Sequence, residues 1–174
     1  MNYIKENFIR KYLDDPKYEE NAKKLLLFES WQDSKKIFLS HSHLDKELAK
    51  GLKNYLYSLN INLYIDWLDS SMPPNTNKET AEKIKKKIIE CDHFMLLATN
   101  NAIKSRWVPW ELGIADIAKT SNNISLIPIV NENEVFLGSE YLTLYNYICD
   151  LPSEIIVLQP NSIYYYKIKD WLTK

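Results

Sequence analysis

The sequence predicts an α/β domain with a central parallel sheet. Short apolar runs of strand type alternate along the chain with segments of helical periodicity, which is typical of successive βαβ units. The third of these runs, residues 94–98, is apolar at every position, as expected for a strand covered by helices on both faces. The chain has 174 residues, of which 45% are hydrophobic, and this is enough for one domain with a proper core.

Residues 1–35 form a predicted N-terminal helical extension, and residues 36–174 form the predicted α/β domain. The first helix of the extension carries a set of apolar residues on one face and ends at 14–16 (Asp-Asp-Pro). This set consists of Ile4, Phe8, Ile9, Tyr12 and Leu13. A second helical stretch follows around 22–29. We expect the extension to pack its apolar face on the domain, and contact with a partner is the alternative.

The elements of the domain follow one another at regular intervals. The predicted strands are 37–40, 62–66, 94–98 and 124–130, and the predicted helices are 44–59, 79–90 and one that begins near Pro109. Residues 70–77 contain too many turn formers to be a regular element. Either 147–149 or 155–158 is the expected fifth strand, and 163–172 is expected to be a closing helix.

The helix that begins near Pro109 is the most informative element. Proline is favoured in a first helical turn, where its missing N–H costs little. Trp107 and Glu111 are four residues apart, so we expect them to share one face of the helix. Considered alone, this pair is consistent with a core tryptophan and a solvated glutamate that favours the helix dipole. The alternative is a carboxylate and an aromatic ring in a ligand site, although most pairs of this kind are structural.

Polar side chains follow the predicted strands where each strand ends. The segment Ser40, His41, Ser42, His43 follows the first strand, Asp66 and Trp67 follow the second, and 99–101 (Thr-Asn-Asn) follow the third. In parallel sheets, ligands bind beyond the carboxyl ends of the strands, near the point where the strand order reverses. The sequence therefore predicts a site for a nucleotide-like ligand at this edge.

Several α/β chemistries are excluded by the motifs that are missing. Only three glycines are present, so the sequence has neither a dinucleotide-binding fingerprint nor a P-loop. The hydrolase G-x-S-x-G motif is also absent. The acidic pair and aspartate of a phosphoacceptor receiver domain are replaced by 40–42 (Ser-His-Ser) and 97–99 (Leu-Ala-Thr). His41 and His43 have no further histidine or cysteine at suitable spacing, so no metal site is expected.

Charge and cysteine content indicate the cellular setting. A net charge of -1 gives no reason to expect binding to nucleic acid or to an anionic membrane. Cys91 and Cys149 lie in apolar contexts, typical of reduced thiols. The N-terminus resembles no signal peptide, and no run reaches transmembrane length. We therefore expect a cytoplasmic protein.

Three motifs in order resemble the Toll/interleukin-1 receptor (TIR) domain family over about 36–172. They are 38–42 (Phe-Leu-Ser-His-Ser) with Asp45, the second strand 63–66 (Leu-Tyr-Ile-Asp), and 105–112, which fits Ser-x-Trp-x3-Glu-Leu. The resemblance implies a flavodoxin-like fold with a five-stranded parallel sheet. It also implies cleavage of the nicotinamide–ribose bond of NAD, with Glu111 as the catalytic residue.

Further properties implied by the resemblance concern partners and product. Many stand-alone bacterial members, such as those of Thoeris-type antiphage systems, convert the ADP-ribose part of NAD into a signalling nucleotide that a downstream effector can sense. NAD is then a substrate, and no cofactor is expected. Whether the product is linear, cyclic or conjugated stays open. Self-association through TIR contacts is expected, and the alternative function is a non-catalytic TIR adaptor that acts by such contacts alone.

The chemistry of this reaction suits one carboxylate. Nicotinamide leaves as a neutral molecule from a cationic pyridinium, so no acid is needed to protonate it, unlike the leaving oxygen of a glycoside. Glu111 can stabilise the oxocarbenium-like transition state electrostatically, and Trp107 can stack on the ring. The other expected substrate-binding residues are Ser40, His41, Ser42, His43, Asp66 and Trp67.

Overall fold

The computed structural model of the chain describes residues 3–13, 35–72, 77–131, 133, 136, 138, 140–151 and 154–173. The helical stretch predicted around 22–29 lies outside the described residues, and so do positions 73–76 of the predicted loop.

The described elements alternate in the way that the sequence predicts. The strands are β1 Ile4–Lys5, β2 Ile37–Ser40, β3 Leu63–Tyr64, β4 His93–Ala98, β5 Ile124–Val130, β6 Asn146–Leu151, β7 Glu154–Leu158 and β8 Tyr165–Lys167. The α-helices are α1 Glu6–Arg10, α2 Lys46–Ser58, α3 Lys78–Glu90, α4 Asn100–Lys104, α5 Val108–Ala118 and α6 Ile168–Leu172. Short 3-10 turns cover His43–Asp45, Asp66–Leu68, Ser121–Asn123 and Glu140–Leu144.

The sheet confirms the parallel α/β prediction. Its strands run in the order β3-β2-β4-β5-β6-β7-β8, and the first five of these are parallel. Counted from β2, this is the strand order of flavodoxin-like sheets. Both candidates for the fifth strand are strands: 147–149 lies in parallel β6, whereas 155–158 lies in β7, which pairs with β6 in antiparallel fashion. The closing helix begins at Ile168 rather than 163, because 165–167 pairs with β7 as β8.

The N-terminal segment joins the sheet as well as packing on it. Ile4 and Lys5 pair with the end of β5 in parallel as β1, so the predicted first helix is confined to Glu6–Arg10. Ile4 and Ile9 are buried in the same core as α2, which confirms the expected packing on the domain. A Cβ at Gly51 of α2 would lie 2.7 Å from the carbonyl oxygen of Ile9, so this close approach requires glycine. The boundary between 1–35 and 36–174 stays a prediction.

Two apolar cores lie on opposite faces of the sheet. Side chains alternate between the faces along each strand, so Ile37 and Leu39 join one core while Phe38 joins the other. The first core includes residues of α1, α2 and α6, and the second includes residues of α3, α4 and α5. Strand β4 is buried at every position, as the apolar sequence of 94–98 predicts, and His93 at its start is buried as well. This packing fixes the position of each strand, and because the neighbouring strands are parallel, their C-terminal residues lie at the same edge of the sheet.

Candidate active site

The strand order reverses between β2 and β4, because β3 lies on one side of β2 and β4 lies on the other. Ser40 ends β2 at this point, and Ala98 ends β4. Helix α5 begins nearby, with Trp107 as its N-cap residue and Pro109 in its first turn, as predicted. The backbone N–H of Glu111 donates to the carbonyl oxygen of Trp107 at 2.9 Å, which closes that first turn.

Glu111 is the centre of the candidate site. The hydroxyl of Ser40 donates a hydrogen bond to Oε2 of Glu111 at 2.5 Å. Both residues are buried, with exposed fractions of 6% for Glu111 and 1% for Ser40. The interpretation of Glu111 as a solvated surface residue is therefore wrong. Most buried carboxyl groups are bound to a cation or to several donors, whereas this one is held by a neutral hydroxyl.

The environment of Glu111 favours its protonated form. The pKa of this carboxyl group is raised from its ordinary value of 4.5 to about 8, mainly by burial and in smaller part by the negative charge of Asp66. The hydrogen bond from Ser40 opposes this rise, because it stabilises the carboxylate. In the ligand-free state near pH 7, Glu111 therefore holds its proton. A strongly perturbed carboxyl group at the ligand-binding edge of an α/β sheet is a typical feature of a functional site.

His41 directly follows Ser40 at the carboxyl end of β2 and is held in its neutral form. Its Nε2 accepts a hydrogen bond from Nε1–H of Trp67 at 2.9 Å, so the proton lies on Nδ1, which faces the carbonyl oxygen of Leu39 at 3.3 Å. Burial lowers the pKa of His41, although the nearby charge of Asp66 raises it in part. The predicted residues His41, Asp66 and Trp67 are thus brought together, and Trp67 also lies under Nζ of Lys46, 5.4 Å from the ring centroid.

The other two predicted residues of the loop after β2, Ser42 and His43, differ in their exposure to solvent. Ser42 is buried, and its hydroxyl accepts a hydrogen bond from the backbone N–H of Leu44 at 3.3 Å, which caps the following 3-10 turn. His43 is exposed, so the two histidines of the loop do not point to one site. Among the residues that the structure describes, no three His, Cys, Asp or Glu side chains are grouped as a metal site would require.

Asp45 anchors the loop, a role that the sequence did not reveal. Its carboxylate accepts hydrogen bonds from the hydroxyl of Thr99 at 2.5 Å and from Nδ2 of Asn101 at 2.7 Å. These bonds tie the loop after β2 to the segment after β4, across the point where the strand order reverses. The sequence shows that polar residues follow both β2 and β4. Which of these residues form hydrogen bonds with one another depends on the register of β2 against β4, which the sequence alone does not give.

Trp107 lies at the surface, four residues before Glu111 in the chain. The residue is 36% exposed, and its ring packs edge-on against Trp110, with centroids 5.1 Å apart. The side chain of Glu111 instead turns inward to Ser40, so the predicted same-face pair is divided between the surface and the interior. The exposed ring fits the stacking role better than the role of a core residue.

Comparison with known proteins decides the family. Residues 37–149 match the family model described as TIR domain, a region that covers more than half of the chain and includes every candidate site residue. The chain belongs to the TIR domain family. Among the described residues, no helix of this TIR domain is long and apolar enough to cross a membrane.

Two curated relatives are similar to this TIR protein. The probable 3' cyclic ADP-D-ribose synthase ThsB' of Bacillus cereus (strain MSX-D12) is 30% identical over 168 residues, which cover 88% of this chain and 86% of the relative. The putative cyclic ADP-D-ribose synthase TIR2 of Cytobacillus dafuensis is 29% identical over 94 residues, covering 52% of this chain and 25% of that protein. The first similarity thus extends beyond the matched family region.

Proposed function

We propose that this TIR domain cleaves the nicotinamide–ribose bond of NAD and releases a cyclic ADP-ribose. The observation that carries the proposal is the buried carboxyl group of Glu111, held by Ser40 at the carboxyl edge of a parallel sheet. The names of both relatives, which describe synthases of cyclic ADP-D-ribose, support the cyclic product. NAD enters this reaction as substrate, so the proposal needs no further cofactor.

The proposed reaction begins with loss of nicotinamide. The C–N bond to ribose breaks, its electron pair stays on the pyridine nitrogen, and the positive charge of the pyridinium moves to the ribose as an oxocarbenium-like ion. Glu111, as a carboxylate, stabilises this charge across a short distance in a site of low dielectric constant. A hydroxyl group of the same ADP-ribose then attacks the anomeric carbon and loses its proton, which the carboxylate of Glu111 can accept.

The raised pKa of Glu111 has a defined place in this reaction. Without ligand, the carboxyl group is mainly protonated near pH 7, because its pKa is about 8. The cationic pyridinium of NAD favours the carboxylate, since an opposite charge nearby lowers a carboxyl pKa. Binding of NAD should therefore release the proton and form the anion where the transition state needs it.

The surrounding residues position the substrate in this proposal. Trp107 offers an exposed aromatic face for stacking on the flat nicotinamide ring. Trp67 and His41 hold each other through the 2.9 Å hydrogen bond, so the loop after β2 presents a fixed wall. Ser42 and His43 lie on the same loop, with His43 exposed for contact with ribose or phosphate.

We further propose that the product is a signal in bacterial antiphage defence, sensed by a downstream effector, and that the domain self-associates. Exposed apolar side chains on and near α5 support a protein contact: Trp110 is 36% exposed, Ile117 is 90% exposed and Leu144 is 63% exposed. A contact of this kind would lie beside Trp107 and so beside the candidate site.

Incubation of the purified protein with NAD tests the proposed activity. Liquid chromatography with mass spectrometry should detect free nicotinamide together with a product whose mass is that of ADP-ribose minus one water. Detection of ADP-ribose alone would contradict the cyclic product but not the cleavage. NAD that stays intact with the full chain, over a wide range of protein concentrations, would favour the non-catalytic adaptor.

A further inference from the structure

We propose that a cavity along the outer edge of β3 is a second ligand site and that it binds a phosphate-bearing small molecule of the nucleotide class. This β3-edge cavity has a volume of about 430 Å³, within the range of small-molecule sites. It is lined by Lys35, Lys36, Ile37, Lys53, Asn62, Leu63, Tyr64, Ile65, Leu68, Asp69, Lys87, Glu90 and Cys91.

The β3-edge cavity is separate from the Glu111 site. It reaches Ile37 and Cys91, which lie at the amino ends of β2 and β4, whereas Ser40 and Glu111 meet at the carboxyl end of β2. Four residues of extended chain place the two ends of β2 roughly 10 Å apart. Leu68 and Asp69 form part of its lining and directly follow Trp67 in the chain.

Lys53 is the strongest indication of an anionic ligand. Its ammonium group has three N–H donors and donates one hydrogen bond, of 2.6 Å, to the carbonyl oxygen of Leu63. Within the described part of the chain, no carboxylate forms an ion pair with Lys53. Burial lowers the pKa of this lysine, and no neighbouring charge opposes that effect. A partly buried ammonium without a counter-ion is unfavourable, and an anion in the cavity would supply that counter-ion.

The other charges of the β3-edge cavity leave an excess of positive charge. Four lysines and two acidic residues line it, and one of these lysines, Lys35, forms an ion pair with Asp92 at 3.7 Å, just outside the lining. Asp69 is occupied, since it accepts hydrogen bonds from the hydroxyl of Tyr64 at 2.8 Å and from Ser71. Glu90 lies 3.8 Å from Lys87 and 3.7 Å from Lys86, and such exposed pairs contribute little. Lys87 can therefore turn to a ligand phosphate.

The remaining wall of the β3-edge cavity is apolar and aromatic. Leu63, Ile65 and Leu68 line it beside the ring of Tyr64, over which Nζ of Lys87 lies at 5.3 Å from the centroid. Inorganic phosphate would use the lysines and leave this wall uncovered. A nucleotide uses both parts, because its base and sugar can cover the apolar wall while its phosphates reach the ammonium groups.

Protection of a sheet edge is the competing explanation for these lysines. β3 is the outer strand, and exposed lysines commonly prevent such an edge from pairing with another chain. This explanation suits Lys35 and Lys36, which are exposed. It does not suit Lys53, which is half-buried and reaches the edge from α2.

Isothermal titration calorimetry with ADP as the probe tests the proposal, because ADP has phosphates and a base but no nicotinamide to be cleaved. We expect ADP to bind, and we expect Lys53→Met and Lys87→Met each to weaken its binding about ten-fold or more. Lys85→Met, on the same helix as Lys87 but outside the cavity, should leave the Kd unchanged.

Adenosine and inorganic phosphate complete the test. Both should bind at least about ten-fold more weakly than ADP. No binding of ADP at millimolar concentration, or an ADP affinity that neither lysine variant alters, would overturn the proposed site. Inorganic phosphate binding as tightly as ADP would overturn the nucleotide class. Melting curves check that the variants fold, and Lys87→Met alone suffices if Lys53→Met does not fold.

Discussion

Replacing Glu111 with glutamine should change how the stability of the protein depends on pH. Glu111 has a pKa of about 8 in the folded chain and an ordinary value of 4.5 in the unfolded chain. Between these values the folded state binds a proton that the unfolded state has released. Raising the pH through this window therefore favours unfolding of the wild type. Glutamine has no proton to lose, so Glu111→Gln removes this dependence.

The size of the effect follows from the same shift. Each pH unit inside the window changes the free energy of unfolding by up to about 1.4 kcal/mol, and between pH 6 and pH 8 the change amounts to about 2 kcal/mol. For a domain of this size, 1 kcal/mol corresponds to about 2–4 °C in Tm. The stability of Glu111→Gln relative to wild type should thus rise by about 4–8 °C in Tm between pH 6 and pH 8.

Thermal or urea unfolding at several pH values measures this difference directly. Comparing variant with wild type at each pH cancels the titration of other groups, including His41, whose lowered pKa acts in the opposite direction. Glu82→Gln, at an exposed position of α3, is the matched control and should run parallel to wild type. If Glu111→Gln also runs parallel to wild type from pH 6 to pH 8, the carboxyl group is not protonated in the folded state, and the reasoning is wrong.

Three further predictions follow from the site and the fold. Initial rates of nicotinamide release should give a kcat/KM that rises with pH up to about 8 and then levels off. The kcat should level off at a lower pH, because bound NAD favours the carboxylate of Glu111. A kcat/KM that does not change with pH would contradict this prediction. Trp107→Ala should raise KM about five-fold or more. It should lower the free energy of unfolding by less than about 3 kcal/mol, because Trp107 is 36% exposed. A larger loss of stability with an unchanged KM would show that Trp107 is a core residue. Gly51→Ala should destabilise the protein by about 1–3 kcal/mol, because the added Cβ would lie 2.7 Å from the carbonyl oxygen of Ile9, and a higher Tm would show that α1 does not pack closely on α2.

The sequence predicted the elements whose signal is local. Strands β2, β4 and β5 are apolar runs between helical segments, so periodicity was enough to find them. β1 has two residues, too few for any periodicity, and it exists because β5 offers an edge for pairing. β8 has the same explanation, since 165–167 extends alongside β7 although its sequence is compatible with a helix.

The sequence predicted which residues form the candidate site, but only some of the contacts between them. Glu111 and Ser40 were both expected at the carboxyl edge of the sheet, yet they are 71 positions apart, and their hydrogen bond depends on how α5 packs over β2. Helical spacing placed Trp107 on the same face as Glu111, and the backbone of Trp107 is helical, yet Trp107 at the N-cap is 36% exposed whereas Glu111 is buried against Ser40. The burial of Glu111, which sets its pKa, is a property of the folded chain.

The role of Glu111 as the catalytic carboxylate is tested by nicotinamide release from NAD, compared between the wild type and Glu111→Gln at equal concentrations of folded protein. We expect the wild type to release nicotinamide and the variant, which keeps the size of the side chain but cannot become an anion, to be about a hundred-fold slower or more. Circular dichroism and the melting curve establish that the variant is folded. A folded Glu111→Gln protein that releases nicotinamide at nearly the wild-type rate would contradict the assignment of Glu111 as the catalytic carboxylate.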